Sequence, residues 1–224
     1  MIKENFSNNL DCPPEYGELI FCFSLEPVSL QSNSKKREFV KSQIRETTKN
    51  INYLLSGDVK VEIQWLLHEQ QRYESAKAPD IDNIIKPILD GLSGPDGILI
   101  DDCQVQTVGS HWIDWTKDEH QINVYIKYIA DDYVMKRGLI FVNMGNNLFM
   151  PFNTTTPQEG NKLILEHLKK MTELKNQILE KTGDYYQAKL FNSVQRVFHK
   201  SRIYQEFDTL EYDDFKSQLN GENN

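Results

Sequence analysis

Cysteine is scarce in this sequence: only Cys12, Cys22 and Cys103 occur, set far apart. They form neither a CxxC metal pair nor an even framework, which excludes a disulfide-stapled scaffold and a thiolate zinc site and leaves free thiols of a reducing compartment. No apolar run is long enough to span a bilayer. The N-terminus, MIKENFSNNLDCPPEYGE, lacks the basic-then-apolar order of a secretory leader. The expected location is the cytoplasm, without a membrane partner. Positive charge is also short, since 25 Lys and Arg against 33 Asp and Glu leave a formal net charge of -8. That balance counts against a nucleic-acid partner unless the cations gather locally.

What is present reads as a folded globular chain. With 224 residues, 39% of them hydrophobic and 26% charged, it has room for one large domain or for a core domain with an appendage. Mixed β-branched and aromatic runs predict strands at 17–26 and 59–67, flanking a helix in SKKREFVKSQIRETTKNINYLL. Ser34 is the expected N-cap, and Phe39, Val40, Ile44, Ile51, Leu54 and Leu55 form the expected buried face. Arg37, Lys41, Arg45 and Lys49 recur every fourth residue and wind a basic stripe along that helix, suited to a phosphate backbone. An ordinary solvated helix face has the same spacing. Further strands are predicted within 104–113 and 122–129, giving an α+β or mixed α/β unit that closes near Ala130.

Between these strands lies PDIDNIIKPILDGL, which crowds like charges ahead of an apolar helix. Side chains two apart diverge on a helix and share a face only on an extended segment. Asp80 and Asp82 therefore converge if Pro79 keeps Ala78 extended and Asp82 is the N-cap of a helix beginning at Asn83. Two converging carboxylates raise each other's pKa unless a cation neutralises them. Oxygen-only donors indicate magnesium, with manganese as a substitute, rather than zinc. Lys86 lies one turn beyond Asp82, Asp90 one turn further, and Pro87 predicts a bend or an irregular first turn. In ILIDDCQV, Asp101 and Asp102 point to opposite faces if extended, so one of the two joins the site and the other orients it. Each piece alone has an ordinary explanation: Asp82 as a cap, Asp101 and Asp102 as turn residues, Lys86 as a surface ion pair. An EF-hand is excluded, because Ile84 occupies the third ligand position and neither the glycine nor the terminal glutamate is in register.

The run DIDNIIKPILDGL followed by DDCQV resembles the RusA family of Holliday-junction resolvases, as does PVSLQSNSKKREF at 27–39. The matching residues are Asp80, Asp82, Asn83, Lys86, Asp90, Asp101, Asp102, Gln104 and Val105. The resemblance implies that Asp80, Asp82 and Asp102 are magnesium ligands and catalytic, that Lys86 is a catalytic helper, and that Asp90, Asp101 and Asn83 support them. It also implies a small mixed β-sheet with two main helices, a homodimer, and paired nicks across a four-way DNA junction in recombination and repair. Alternative readings are a nuclease with another target, such as forks, flaps or RNA, and a non-catalytic module that binds DNA or a protein through the same fold. The complete set of motif acids counts against the last.

The domain layout that follows is an N-terminal segment at 1–16, a RusA-like domain at 17–130, a mostly helical extension at 131–204 and an acidic tail at 205–224. In the extension, LIFVNMGNNLFMPF predicts a hairpin around Gly145, Asn146 and Asn147. Ile164, Leu168, Met171, Leu174 and Ile178 predict a helix stopped by Gly183, with Asp184 capping a second helix through Tyr186, Leu190, Val194 and Val197. The pair reads as a helical hairpin whose seam is internal packing, with Lys189, Arg196, Lys200 and Arg202 available for DNA or protein contacts. The tail, EFDTLEYDDF and then NGENN, reads as loosely ordered and as a competitor of DNA for the basic stripe, to be relieved by cutting after Tyr204.

Overall fold

A computed structural model describes residues 10–26, 28–29, 31–75, 80–193, 195–203 and 205–221. The expectations placed on Pro79 and Ala78, on Pro27, on Val194, on Tyr204 and on the two chain ends lie outside these residues. The chain divides into two compact units, Met1–Tyr133 and Val134–Asn224. Mixed α+β structure fills the first, and the second is helix-rich from its long helix onward.

In chain order the first unit contains β1 (Glu18–Phe23), α1 (Ser34–Thr48), β2 (Tyr53–Leu55), β3 (Val59–His68), α2 (Glu69–Tyr73), α3 (Ile81–Leu92), β4 (Val105–Trp115) and β5 (Gln121–Lys127). Its sheet runs β1, β5, β3, β4, with β5 antiparallel to both neighbours and β3 parallel to β4. Parallel neighbours need a crossover, and the chain supplies it through α2 and α3. Burial alternates along the strands, at Leu19, Phe21 and Phe23, at Val61, Ile63 and Trp65, and at Ile122, Val124 and Ile126. One sheet face is therefore core. Val40 and Ile44 of α1 and Ile84, Ile88 and Leu92 of α3 are buried as well. A Cβ at Gly91 would lie 2.8 Å from Ile44 Cδ1, so the missing side chain lets α3 approach α1 closely.

Two local expectations are corrected here. The basic helix is capped by Asn33, whose side chain accepts from Lys36 N, and it ends at Thr48 rather than running to Leu55. Tyr53, Leu54 and Leu55 form β2 and are all buried, while Phe39, expected inside, is 59% exposed. A short apolar run that is buried on every side carries no period with which to tell strand from helix.

The second unit contains β6 (Tyr133–Met135, shared with the unit boundary), β7 (Leu139–Asn143), β8 (Leu148–Asn153), α4 (Gln158–Thr182), α5 (Tyr185–Ala188), β9 (Phe198–His199), β10 (Thr209–Glu211) and α6 (Tyr212–Leu219). β7 and β8 form the predicted hairpin, with Asn146 and Asn147 both at positive φ in its loop. β10 pairs in parallel with β7, and β9 pairs antiparallel with β8. Phe141 N donates to Asp208 O, away from β8, so its partner Pro151 directs its absent donor away from β7. Ile140, Val142, Met150, Phe152, Leu165 and Phe215 form the core of this unit.

Among the described residues the helical hairpin is not formed. Gly183 does stop α4 in the left-handed region, at φ 66°, and Asp184 does cap the next turn, but α5 ends at Ala188. The short helix gives way to a 3-10 turn over Lys189–Phe191, leaving Tyr186 and Leu190 exposed. Nor is the seam of α4 all internal, since Ile164 and Leu174 face solvent. The acidic tail is ordered between Thr209 and Leu219, where Leu210 lies in β10 and Phe215 in α6 is 2% exposed. Asp213 and Asp214 fall in the first turn of α6, where the helix dipole favours carboxylates, so the acids serve the fold.

Candidate active site

The helix α3 begins at Ile81, with Asp80 as the N-cap, one turn-half earlier than the sequence implied. Asp82 is therefore in the first turn and not the cap, and the two carboxylates straddle a helix entrance instead of sharing an extended strand. Closure of that turn is marked by Asn83 N donating to Asp80 O at 3.1 Å. Either aspartate could have capped the helix, and only the fold chooses between them. Asp80 has extended backbone angles, is exposed, and makes no side-chain capping bond. Both carboxylates sit where the positive end of the helix dipole lowers the cost of crowding them. Pro87 is buried within α3, which continues through it to Leu92 although Asn83 O loses its usual donor.

From Leu92 the chain returns through a buried strap of Ile98, Leu99 and Ile100 to a single 3-10 turn over Asp102–Gln104. Asp101 and Gln104 form a capping box there: Asp101 Oδ1 accepts from Cys103 N, and Gln104 Oε1 accepts from Asp101 N at 3.1 Å and Ile100 N at 2.8 Å. The amide of Gln104 donates in turn to Leu55 O and Gly57 O, both at 2.8 Å. Gln104 is wholly buried and fastens the turn to the end of β2 and the connection that leads into β3. Its importance was missed from the residues, although Asp-x-x-Gln is the spacing of a capping box and could have revealed it.

This turn delivers Asp102 to Lys86. The Lys86 ammonium donates to Asp90 Oδ1 at 2.6 Å and to Asp102 Oδ2. Burial pulls the Lys86 pKa down, but the hydrogen bonds to Asp102 and Asp90 outweigh it and hold the group above its ordinary value. It stays protonated through the neutral range. Asp90 is also approached by Lys41 of α1 at 3.5 Å, and Arg45 Nη2 donates to Ser93 O at 3.3 Å. Lys49 pairs with Glu46 at 2.6 Å. Much of the basic stripe thus leans on α3 or on its own helix, a tie the four-residue spacing did not disclose.

The structure brings together Lys86, Asp90 and Asp102, places Asp101 behind Asp102, and leaves Asp80 and Asp82 at the start of the same helix. Asp82 precedes Lys86 by one turn, about 6 Å of helical rise. Among the described residues, no three His, Cys, Asp or Glu side chains gather closely enough to hold a metal ion. The donor chemistry nevertheless fits a hard divalent cation, because the acids flanking Lys86 offer carboxylate oxygens alone. In the conformation described, the Lys86 ammonium supplies the positive charge that Asp102 requires.

The family model of the endodeoxyribonuclease RusA matches residues 30–127, a span that runs from the approach to α1 to the end of β5. Residues 30–127 thus match an endodeoxyribonuclease RusA domain, and the extension lies beyond the matched residues. No curated protein matches the sequence. Among the described residues, no helix is long and apolar enough to cross a membrane.

Proposed function

We propose that the protein is a magnesium-dependent endodeoxyribonuclease that resolves four-way DNA junctions by paired nicks, as a homodimer with one site per strand. The observation that carries this reading is the bridge of Lys86 between Asp90 and Asp102 inside the matched span, one turn from Asp82. Asp80, Asp82 and Asp102 would hold the cation. Bound there, magnesium would polarise a phosphate oxygen and lower the pKa of a water. Lys86, kept protonated by its two partners, presents positive charge to the phosphate as negative charge develops on it. Asp90 positions Lys86, and Asp101 with Gln104 positions Asp102. Two-fold symmetry of a dimer matches the approximate two-fold symmetry of a four-way junction. On α1, Arg37, Lys41, Arg45 and Lys49 are proposed to meet the DNA backbone, with Lys49 the most exposed of them.

The test is incubation of the full chain with labelled four-way, forked and linear DNA, with and without magnesium, beside Asp82→Asn. Paired nicks confined to the junction, requiring magnesium and lost in the variant, are expected. Cutting of forks or flaps would keep the nuclease and change its target. Binding without cleavage would leave a non-catalytic DNA-binding module.

A further inference from the structure

The second unit contains a cavity of about 170 Å³ that no step of the proposed cleavage uses. Met144, Met150 and Met171 line it together with Leu148. Lys175, Arg196, Asn176 and Asn192 also border it, with Thr172, Ser193 and Gln195, so that cations and polar groups face the apolar wall. α4 supplies Met171, Lys175 and Asn176 from adjoining turns. Ring faces steady both cations: Lys175 lies 5.5 Å from the Tyr185 centroid and Arg196 5.8 Å from that of Phe198.

We infer that this cavity is a binding site for a single pyrimidine nucleotide, with the base against the methionines and the phosphate at Lys175 and Arg196. Three observations converge on that ligand. A dry cavity of about 150 Å³ holds one benzene ring, so this one suits a six-membered ring. Methionine sulfur is polarizable and packs well on aromatic rings. Asn176 and Asn192 at its border each carry two donors and an acceptor, a set that the edge of a pyrimidine matches and an acyl chain does not. Arginine and lysine together favour a phosphate over a neutral nucleoside.

The nucleotide could come free or as an unpaired residue of branched DNA. The second source rests on the nuclease reading above, whereas the chemistry of the cavity does not.

The test is titration of the full chain, labelled at methionine methyl carbons, with TMP, dCMP, thymidine and benzoate. A magnesium-free four-way junction carrying one unpaired thymidine forms the last arm. The methyl signals of Met144, Met150 and Met171 should shift together with either nucleotide while that of Met135, which does not line the cavity, stays in place. Arg196→Ala should weaken TMP about tenfold and thymidine far less, with Arg196→Lys recovering part of the loss. Unmoved methyls in every arm would overturn the inference, as would benzoate binding as tightly as TMP. Shifts with TMP alone support a free-nucleotide site, and shifts with the junction as well support the DNA source. Since the methyl signals report the cavity and nicking reports the aspartates, TMP binding in a chain that cuts no branched DNA would preserve this site while removing the nuclease reading.

Discussion

In α3, Ile84, Ile88 and Leu92 are at most 2% exposed, whereas in α4 Leu163, Ile164 and Leu174 keep 68%, 48% and 39% of their surface in water. Both helices have apolar residues at helical spacing. α3 is a short crossover between parallel strands and packs against α1, so its stripe is covered. α4 has 25 residues, about 38 Å of helix, beside a sheet whose β8 has six residues, about 20 Å. The helix outruns its cover. Periodicity reports that a stripe exists, while the length of the neighbouring element decides how much of it is buried.

The sharpest way to break this comparison is at the site positioned by α3. Asp102→Asn should reduce junction cleavage by about a thousandfold, on the scale of losing a principal transition-state contact, with little change in melting; retained cleavage would disconnect α3 from the chemistry. In the second unit, Phe215→Ala should lose about 3 to 5 kcal/mol by chemical denaturation, because the ring is buried against Phe152 with centroids 5.2 Å apart. A loss within error would restore the loosely ordered tail.

Gln104→Ala leaves the carbonyls of Leu55 and Gly57 without the amide and should cost about 2 to 3 kcal/mol, read as a lower Tm. Smaller still is Lys86→Met. Lys86 is 49% exposed at the side chain, so its bridge contributes no more than about 1 kcal/mol. Its pKa is raised by folding, so that contribution is complete below the ordinary lysine value of 10.5 and disappears as the pH climbs through the higher folded value. Melting curves of wild type and variant should stay separated at neutral pH and converge only in strong alkali. At the surface of α4, Ile164→Ser should change stability by less than about 0.5 kcal/mol, and a larger loss would show that the stripe is covered after all.

How much was legible in the sequence follows the same division. Asp80, Asp82, Lys86, Asp90 and Asp102 belong to two short segments whose charges stand out against apolar neighbours; β1, β3 and β5 alternate clearly enough to be found, whereas β4 has no such alternation and shows only its β-branched and aromatic residues. The start of α3 was misplaced because Asp80 and Asp82 are equally good caps. The end of α1 was missed because Tyr53–Leu55, buried on all sides, reads as either element. Gln104 acts through backbone groups of Leu55 and Gly57, nearly fifty residues earlier in the chain, and no local pattern announces such a partner. In the second unit, acidity suggested a loose tail although Leu210, Tyr212, Phe215 and Leu219 pack on its core. Charge described the outer face of α6 and said nothing of the inner one.

The central claim, that the acids of α3 and the following turn form one divalent-cation site, is tested most directly by manganese titration of the full chain followed by electron paramagnetic resonance. Wild type should bind one tight ion per chain, displaceable by magnesium, with Asp82→Asn and Asp102→Asn each weakening it severalfold or more. Equal binding by wild type and both variants, or no tight binding in any of them, would contradict the claim.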